Sequence, residues 1–483
     1  MKSDRPNILI ICSDQHTPGV LGCYGNAVVQ TPHLDALAGN GIVFDSAYCA
    51  SPVCVASRLS MLTGRHPGNI GVWGLADTIP STTPTWPMAL SAAGWETVIS
   101  GRMHLVYGDR NHGFEHRLCG DAYPTMRNHF AHWRNQEPDV TRNVKAIAEA
   151  GAGIARHDAE DDIAQGFALK YLHQQNPARR TRPFALCVGF YRPHTPYSAP
   201  EELAGLYRDF EPEITGSLED LPPYYRSLAR HFGLEKDPPT PAQARRAVQV
   251  YYSMVTGLDR RVGLLCQMLR QQGFWDNTII IYTSDHGDML GKHGLWFKSS
   301  FYEESVRVPL IIHWPEGFRK GIRIKEPVSL IDLFPSLCEL AGTEPYDFLD
   351  GSSFLPALKG APLEPGREVF AEYADYGIHS PMRMIRNERY KLIYCHQQDP
   401  LLFDLVDDPG ETVNRANDPE LADTIRSMKE RLLSDWNPES VRERVLLNQQ
   451  YRDILMQAED SIRAATGTVT FPGIERMSLD DIG

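Results

Sequence analysis

Cys54 and Arg58 lie one helical turn apart in the run Ser51-Pro52-Val53-Cys54-Val55-Ala56-Ser57-Arg58, where a Pro-containing turn leads into a helical pattern. A side chain at a helix start faces backbone N–H groups that lack intrahelical acceptors, and the positive end of the helix dipole, so a tetrahedral anion can dock beside it. The guanidinium of Arg58 would then grip the oxygens of that anion. The thiol reads either as a nucleophile of depressed pKa or as a small buried hydrophobe. Two further pairs could hold a cation. Asp14-Gln15 follows the apolar run Asn7 to Cys12, and Asp285-His286 follows Thr278 to Thr283. If both runs are strands of one parallel sheet, their carboxyl ends share an edge where distant acids meet. Two carboxylates, a carboxamide oxygen and an imidazole suit one divalent ion, with calcium or manganese ahead of magnesium.

Strand-like runs alternate with helical patterns along most of the chain, which predicts an α/β fold with a mostly parallel sheet sandwiched by helices. Strands are expected at Asn7 to Cys12, Thr97 to Ser100, Phe184 to Gly189, Thr278 to Thr283 and Leu310 to Trp314. Thr31-Pro32 starts a helix that runs through Ala38. A longer helix spans Pro241 to Gln271, with Val250, Met254, Val255, Leu258, Val262, Leu265 and Leu269 as its apolar stripe. Near Gly366 the pattern changes to short strands at Glu368 to Tyr373, Met382 to Ile385 and Arg389 to Cys395, followed by a helix from Pro419 to Trp436. The organisation expected is a catalytic α/β domain over 1–365, a smaller antiparallel-sheet-plus-helix domain over 366–440, and a tail over 441–483 that serves as an oligomerisation arm.

At 483 residues, with 42% hydrophobic and 23% charged residues, the composition is that of a soluble globular protein. A net charge of -13 with no basic block excludes a nucleic-acid partner. The apolar stretch Ile8 to Cys12 is too short for a leader or a membrane span, which excludes a membrane partner and places the chain in the cytoplasm. The nine cysteines have no paired spacing, as expected of reduced thiols.

The residues around Cys54, completed by Leu62-Thr63-Gly64, resemble the activation signature of the formylglycine-dependent type I sulfatases, Cys-x-Pro-x-Arg with an apolar pair and Thr-Gly behind it. This chain has Ala56 where that family usually has Pro. The runs NILIICSDQ and TSDHGDMLGKHGLWFK match the family's metal segments, and the likeness extends from about Pro6 to Asp404. Within the alkaline phosphatase superfamily, GRMHLVYGD, HGFEHRL and GLWFK are most similar to the choline-sulfatase and phosphonate monoester hydrolase branch. The resemblance implies that Cys54 is oxidised to formylglycine by a formylglycine-generating enzyme or its equivalent. Asp14, Gln15, Asp285, His286 and the modified Cys54 would bind the metal.

The resemblance also distributes the remaining roles. Gly101-Arg102-Met103-His104 looks like the family's Gly-Lys-x-His, so Arg102 neutralises charge and His104 deprotonates the formylglycine hydrate to eliminate sulfate. His194, between Pro193 and Pro196, matches the imidazole on the leaving-group side, and Lys298 matches a substrate-binding cation. Three readings follow. One is a sulfatase acting on a small sulfate ester, as a homodimer or homotetramer. Another is a phosphonate monoester hydrolase or phosphodiesterase using the same site, and the third is a binding protein whose Cys54 stays unconverted. Tyr123, Trp133 and Tyr191 are aromatic faces available for the alcohol half of a substrate. His112, His116 and His293 are left with packing or solvated roles.

Overall fold

The computed structural model describes residues 5–106, 109–121, 133 and 143–466. Its main elements are β1 (Asn7–Asp14), α1 (Pro32–Gly39), β2 (Ile42–Phe44), α2 (Cys54–Thr63), β3 (Glu96–Gly101), β4 (His116–Cys119), α3 (Arg156–Gln174), β5 (Phe184–Pro193), α4 (Pro241–Gln271), β6 (Thr278–Ser284), β7 (Leu310–His313) and β8 (Ile322–Ile324). They are followed by β9 (Val369–Tyr373), β10 (Met382–Arg386), β11 (Tyr390–Cys395), β12 (Leu401–Asp404), α5 (Ala422–Leu433) and α6 (Pro438–Thr466).

An eight-stranded sheet carries the site, in the order β8-β2-β7-β6-β1-β5-β3-β4. β1 pairs in parallel with β5 and β6, and β3 in parallel with β5 and β4, while β7 alone runs against its neighbours β6 and β2. This is the α/β architecture expected from the sequence. The central strands read as near-continuous apolar runs because both faces are covered. Ile8 and Ile10 pack into one core cluster with Val55, Leu59 and Leu62 of α2, whereas Leu9 and Ile11 pack on the other face against Leu258, Val262 and Leu265 of α4. α4 begins where predicted, because Thr240 and Gln243 cap each other's backbone N–H groups reciprocally and Pro241 occupies the first turn.

The C-terminal part forms an antiparallel sheet in the order β9-β10-β11-β12. β12 is a strand that the sequence pattern did not separate from the turn before it. The backbone N–H of Glu372 on β9 donates to the Ala50 carbonyl at 2.9 Å, which joins this sheet to the segment before Cys54. The helix expected over Pro419 to Trp436 is a short 3-10 turn, Pro419–Leu421, running into α5. The tail expected over 441–483 is helical through Thr466 as part of α6, whose Val441 and Val445 are buried in the main core and whose Arg452 is paired with Asp77. Residues 467–483 lie outside the described residues, as does Tyr123. Among the described residues, no helix is long and apolar enough to cross a membrane.

Candidate active site

Four loops at the carboxyl edge of the parallel strands converge on the N-terminus of α2. β1 ends at Asp14 with Gln15 just beyond it, β6 ends at Ser284 before Asp285-His286, β3 delivers Arg102 and His104, and β5 delivers His194. Pairing Cys12 with Thr283 and Ser13 with Ser284 puts Asp14 level with Asp285. A Cβ on Gly189 of β5 would lie 1.8 Å from the Arg102 carbonyl oxygen, so only glycine lets the end of β3 approach that closely.

Cys54 is the first residue of α2, and Val53 before it is extended. Ala56 falls in the first turn, where proline is also tolerated, so its difference from the family pattern leaves the helix start unchanged. The Cys54 Sγ lies 3.7 Å from Lys298 Nζ and 3.7 Å from Arg102 Nη2. Its ligand atom and those of Asp14, Asp285 and His286 all lie within 4.8 Å of one another. Burial raises the thiol pKa even with these cations beside it, so the unmodified side chain is a neutral thiol and the depressed-pKa reading does not hold.

Arg58 is where the structure corrects the sequence. Its guanidinium was expected to grip the anion, yet it is fully buried with its donors committed elsewhere. Nε donates to Asp285 Oδ2 at 2.7 Å, Nη1 to the Arg102 carbonyl at 2.8 Å, and Nη2 to the Ser13 carbonyl at 3.0 Å and Asp14 Oδ2 at 3.4 Å. Arg58 therefore holds the carboxylates in place. Arg102 and Lys298 are the cations beside Cys54, and Arg102 also pairs with Asp14 Oδ2 at 2.8 Å while lying over the Tyr191 ring.

The acids and imidazoles are tuned by their surroundings. Burial works against the charge on Asp14, but Arg102 and Lys298 hold its carboxyl well below the usual carboxylate range. Burial lifts Asp285 to about 6 against the pull of Arg58. His286, His104 and His194 are all held well below the ordinary imidazole value by burial, with Lys298 or Arg102 adding to it, so each is neutral. The Nδ1 of His286 lies 3.0 Å from the Gly287 carbonyl, and its Nε2 lies 3.7 Å from an oxygen of each of Asp14 and Asp285.

Several positioning groups escaped the sequence reading. Asp121 accepts the backbone N–H groups of Met103, His104 and Leu105, which holds His104 in its left-handed conformation. Asp161 accepts those of Tyr191 and Arg192, and Asp158 pairs with the Arg192 side chain, fixing the loop before His194. Asp288 accepts the Gln15 side-chain amide and the Tyr197 hydroxyl. The spacing Asp285-His286-Gly287-Asp288 was visible, but nothing in it said that its fourth residue served Gln15. Of the aromatics considered for a substrate's alcohol half, Trp133 is buried and donates from its indole to the Asp375 carbonyl.

Residues 6–343 match the family model described as Sulfatase, and residues 291–437 match that of the N-sulphoglucosamine sulphohydrolase C-terminal region. A choline-sulfatase from Rhizobium meliloti (strain 1021) is 33% identical over 95% of this chain and 92% of its own length. An arylsulfatase from Clostridium perfringens (strain 13 / Type A) is 28% identical over 89% and 94% respectively. The fold is shared with a phosphonate monoester hydrolase from Agrobacterium radiobacter, at a TM-score of 0.73, 24% identity and coverage of 91% of this chain and 96% of that one. The chain belongs to the sulfatase family of the alkaline phosphatase superfamily, and it is an enzyme, a sulfatase.

Proposed function

We propose that this sulfatase cleaves a small organic sulfate ester using a formylglycine made from Cys54, beside one divalent cation held by Asp14, Gln15, Asp285, His286 and residue 54. The observation that carries the reading is the position of Cys54 Sγ, at a helix start, flanked by Lys298 and Arg102 and within ligand distance of two carboxylates and an imidazole. The donor set fits such an ion. Asp14 Oδ1 is buried and accepts no hydrogen bond among the described residues, and a neutral His286 offers a lone pair beside both acids. Oxygen ligands with one imidazole suit calcium or manganese better than magnesium.

When present, the aldehyde supplies a hydrate as a renewable nucleophile, and the cation lowers its pKa and draws charge from the sulfate oxygens. Arg102 and Lys298 neutralise the equatorial oxygens from either side of position 54. The Nδ1 of His194 lies 2.7 Å from the Thr195 carbonyl, so Nε2 is the atom left to face the substrate. Because the buried His194 ring is neutral, the proton for the departing alcohol is assigned to Lys298. The Nε2 of His104 is buried without a hydrogen-bond partner among the described residues, as a base awaiting a proton would be. With formylglycine at position 54, His104 would be the base that accepts a hydroxyl proton from it.

The nine cysteines are all free, which supports a cytoplasmic setting. Leu447, Tyr451, Ile454 and Leu455 are exposed on one side of α6, which supports a homo-oligomer. The decisive experiment is the mass of the Cys54 peptide from the native host, where formylglycine or its hydrate is expected and free thiol would overturn the reading. Turnover of matched nitrophenyl esters is expected to favour sulfate, and a clear preference for the phenylphosphonate or the diester would move the enzyme to phosphorus substrates.

A further inference from the structure

Asp288 is fully buried in the loop after β6, and its carboxylate reaches two other loops of the site. Its Oδ2 accepts from the Gln15 side-chain Nε2 at 2.7 Å and from the Tyr197 hydroxyl at 2.8 Å. Its Oδ1 accepts from the backbone N–H of Leu290 at 3.0 Å and of Phe297 at 3.1 Å. One carboxylate thus ties together the residue after β1, the loop that carries His194, and the residue preceding Lys298. Tyr197 in turn stacks on the Phe297 ring with an interplanar angle of 8°.

We propose that Asp288 is a positioning residue that fixes the Gln15 carboxamide with its NH2 toward Asp288 and its carbonyl oxygen toward the cation, and so dictates that position 15 be an amide. This rests on the cation reading above. A carboxamide has one donor end and one acceptor end, and an ionised carboxylate 2.7 Å away can face only the donor. The carbonyl, the end that a hard cation needs, is turned the other way. The backbone N–H of Gln15 meanwhile donates to Asp285 Oδ1 at 3.1 Å, so the residue is anchored to a second ligand at its main chain. An acid at position 15 would bring two carboxylates together at this distance, which explains why the second ligand of the first pair is a glutamine.

The hydrogen-bond logic can be inverted. In Asp288→Asn, the Nδ2 group would face the Gln15 amide and Tyr197, the carboxamide of Gln15 would turn to present its carbonyl to Asn, and its NH2 would point at the cation. In Gln15→Glu alone, two acids would repel. In the double variant Gln15→Glu/Asp288→Asn the bonds to residue 15 and Tyr197 are restored with direction reversed, since one N–H of Asn meets Glu and the other meets the Tyr197 oxygen, while Oδ1 keeps both backbone donors.

The test is the affinity of the purified full-length protein for Mn2+ and Ca2+, measured by competition against a chelating dye, with melting temperature recorded alongside. Each single variant is expected to lose about 10- to 100-fold in affinity, and the double variant to recover most of that loss. Asp288→Asn binding as tightly as wild type, or a double variant no better than the weaker single, overturns the proposal. Should Asp288→Asn not fold, Gln15→Glu and the double variant still decide it, because the latter keeps every bond. A wild type that binds neither ion would instead sink the cation reading itself, a result distinct from a failure at Asp288.

Discussion

Two of the buried clusters of charge among the described residues differ in how far the chain itself supplies their partners. Under the C-terminal sheet, Lys391 on β11 donates to Glu303 Oε1 at 2.8 Å and pairs with Glu411 Oε1 at 2.6 Å, while Glu411 Oε2 accepts the Glu303 backbone N–H. An ammonium sits between the acids, and Arg307 adds a second cation 3.5 Å from Glu303. At the edge of the main sheet, Arg58 and Arg102 pin Asp14 and Asp285, but Asp14 Oδ1 is left without a hydrogen bond among the described residues, and Lys298 lies beside the Cys54 thiol and the neutral His286 imidazole. A buried cluster whose partners are all supplied by the chain holds the fold together. One that leaves an acid oxygen without a hydrogen bond and sets an ammonium against a thiol and an imidazole is arranged for something the chain does not contain.

The comparison predicts opposite phenotypes for breaking each cluster. Asp14→Asn should lower turnover of a nitrophenyl sulfate on the order of 10³-fold or more while the melting temperature moves less than in a break of the C-terminal cluster, since Arg58 keeps Asp285 and two backbone carbonyls as acceptors. Retained turnover in that variant would place the chemistry elsewhere. Lys391→Met should do the reverse. It strands Glu303 and Glu411 as buried acids, so unfolding in denaturant should show a loss of about 3–5 kcal/mol, with turnover per folded molecule close to wild type. A stable Lys391→Met protein with impaired turnover would erase the distinction drawn between the two clusters.

How much of this could be read beforehand divides along the same line. β1, β5 and β6 were legible because a strand buried on both faces must be a continuous apolar run, and α4 because its stripe and its Thr240–Gln243 cap agree. Asp14, Asp285 and His286 were legible because residues that work at strand ends sit beside those runs, and Cys54 because a Pro-containing turn before a helical pattern marks a helix start. The work of Arg58 was not, because a motif names a guanidinium without saying which acceptors occupy it, and here these are Asp14, Asp285 and two backbone carbonyls. Asp121, Asp161 and Asp288 were invisible for a related reason, since their partners are mostly backbone N–H groups, which every residue carries. α6 was read as a tail without a core of its own because its apolar contacts with the core, around Val441 and Val445, are few and its further contacts are polar, through Gln449 and Arg452.

The C-terminal cluster also predicts a smaller effect, visible only in how stability depends on pH. Burial pushes the Glu411 carboxyl up to about 8 in the folded chain, against an ordinary value of 4.5, with Lys391 pulling the other way and Glu303 and Glu304 adding to the rise. Between those values the folded state binds a proton that the unfolded chain has released, so the contribution of Glu411 to stability is whole below about pH 4.5 and is lost as pH rises through about 8. Glu411→Gln, which keeps the shape and stays neutral, should leave stability near pH 5 almost unchanged and flatten its decline up to about pH 9, as read from denaturant midpoints across that range. If the variant declines as steeply as wild type, then Glu411 is already ionised at neutral pH. In that case Lys391 balances two full negative charges, and the C-terminal cluster is less closed than its hydrogen bonds indicate.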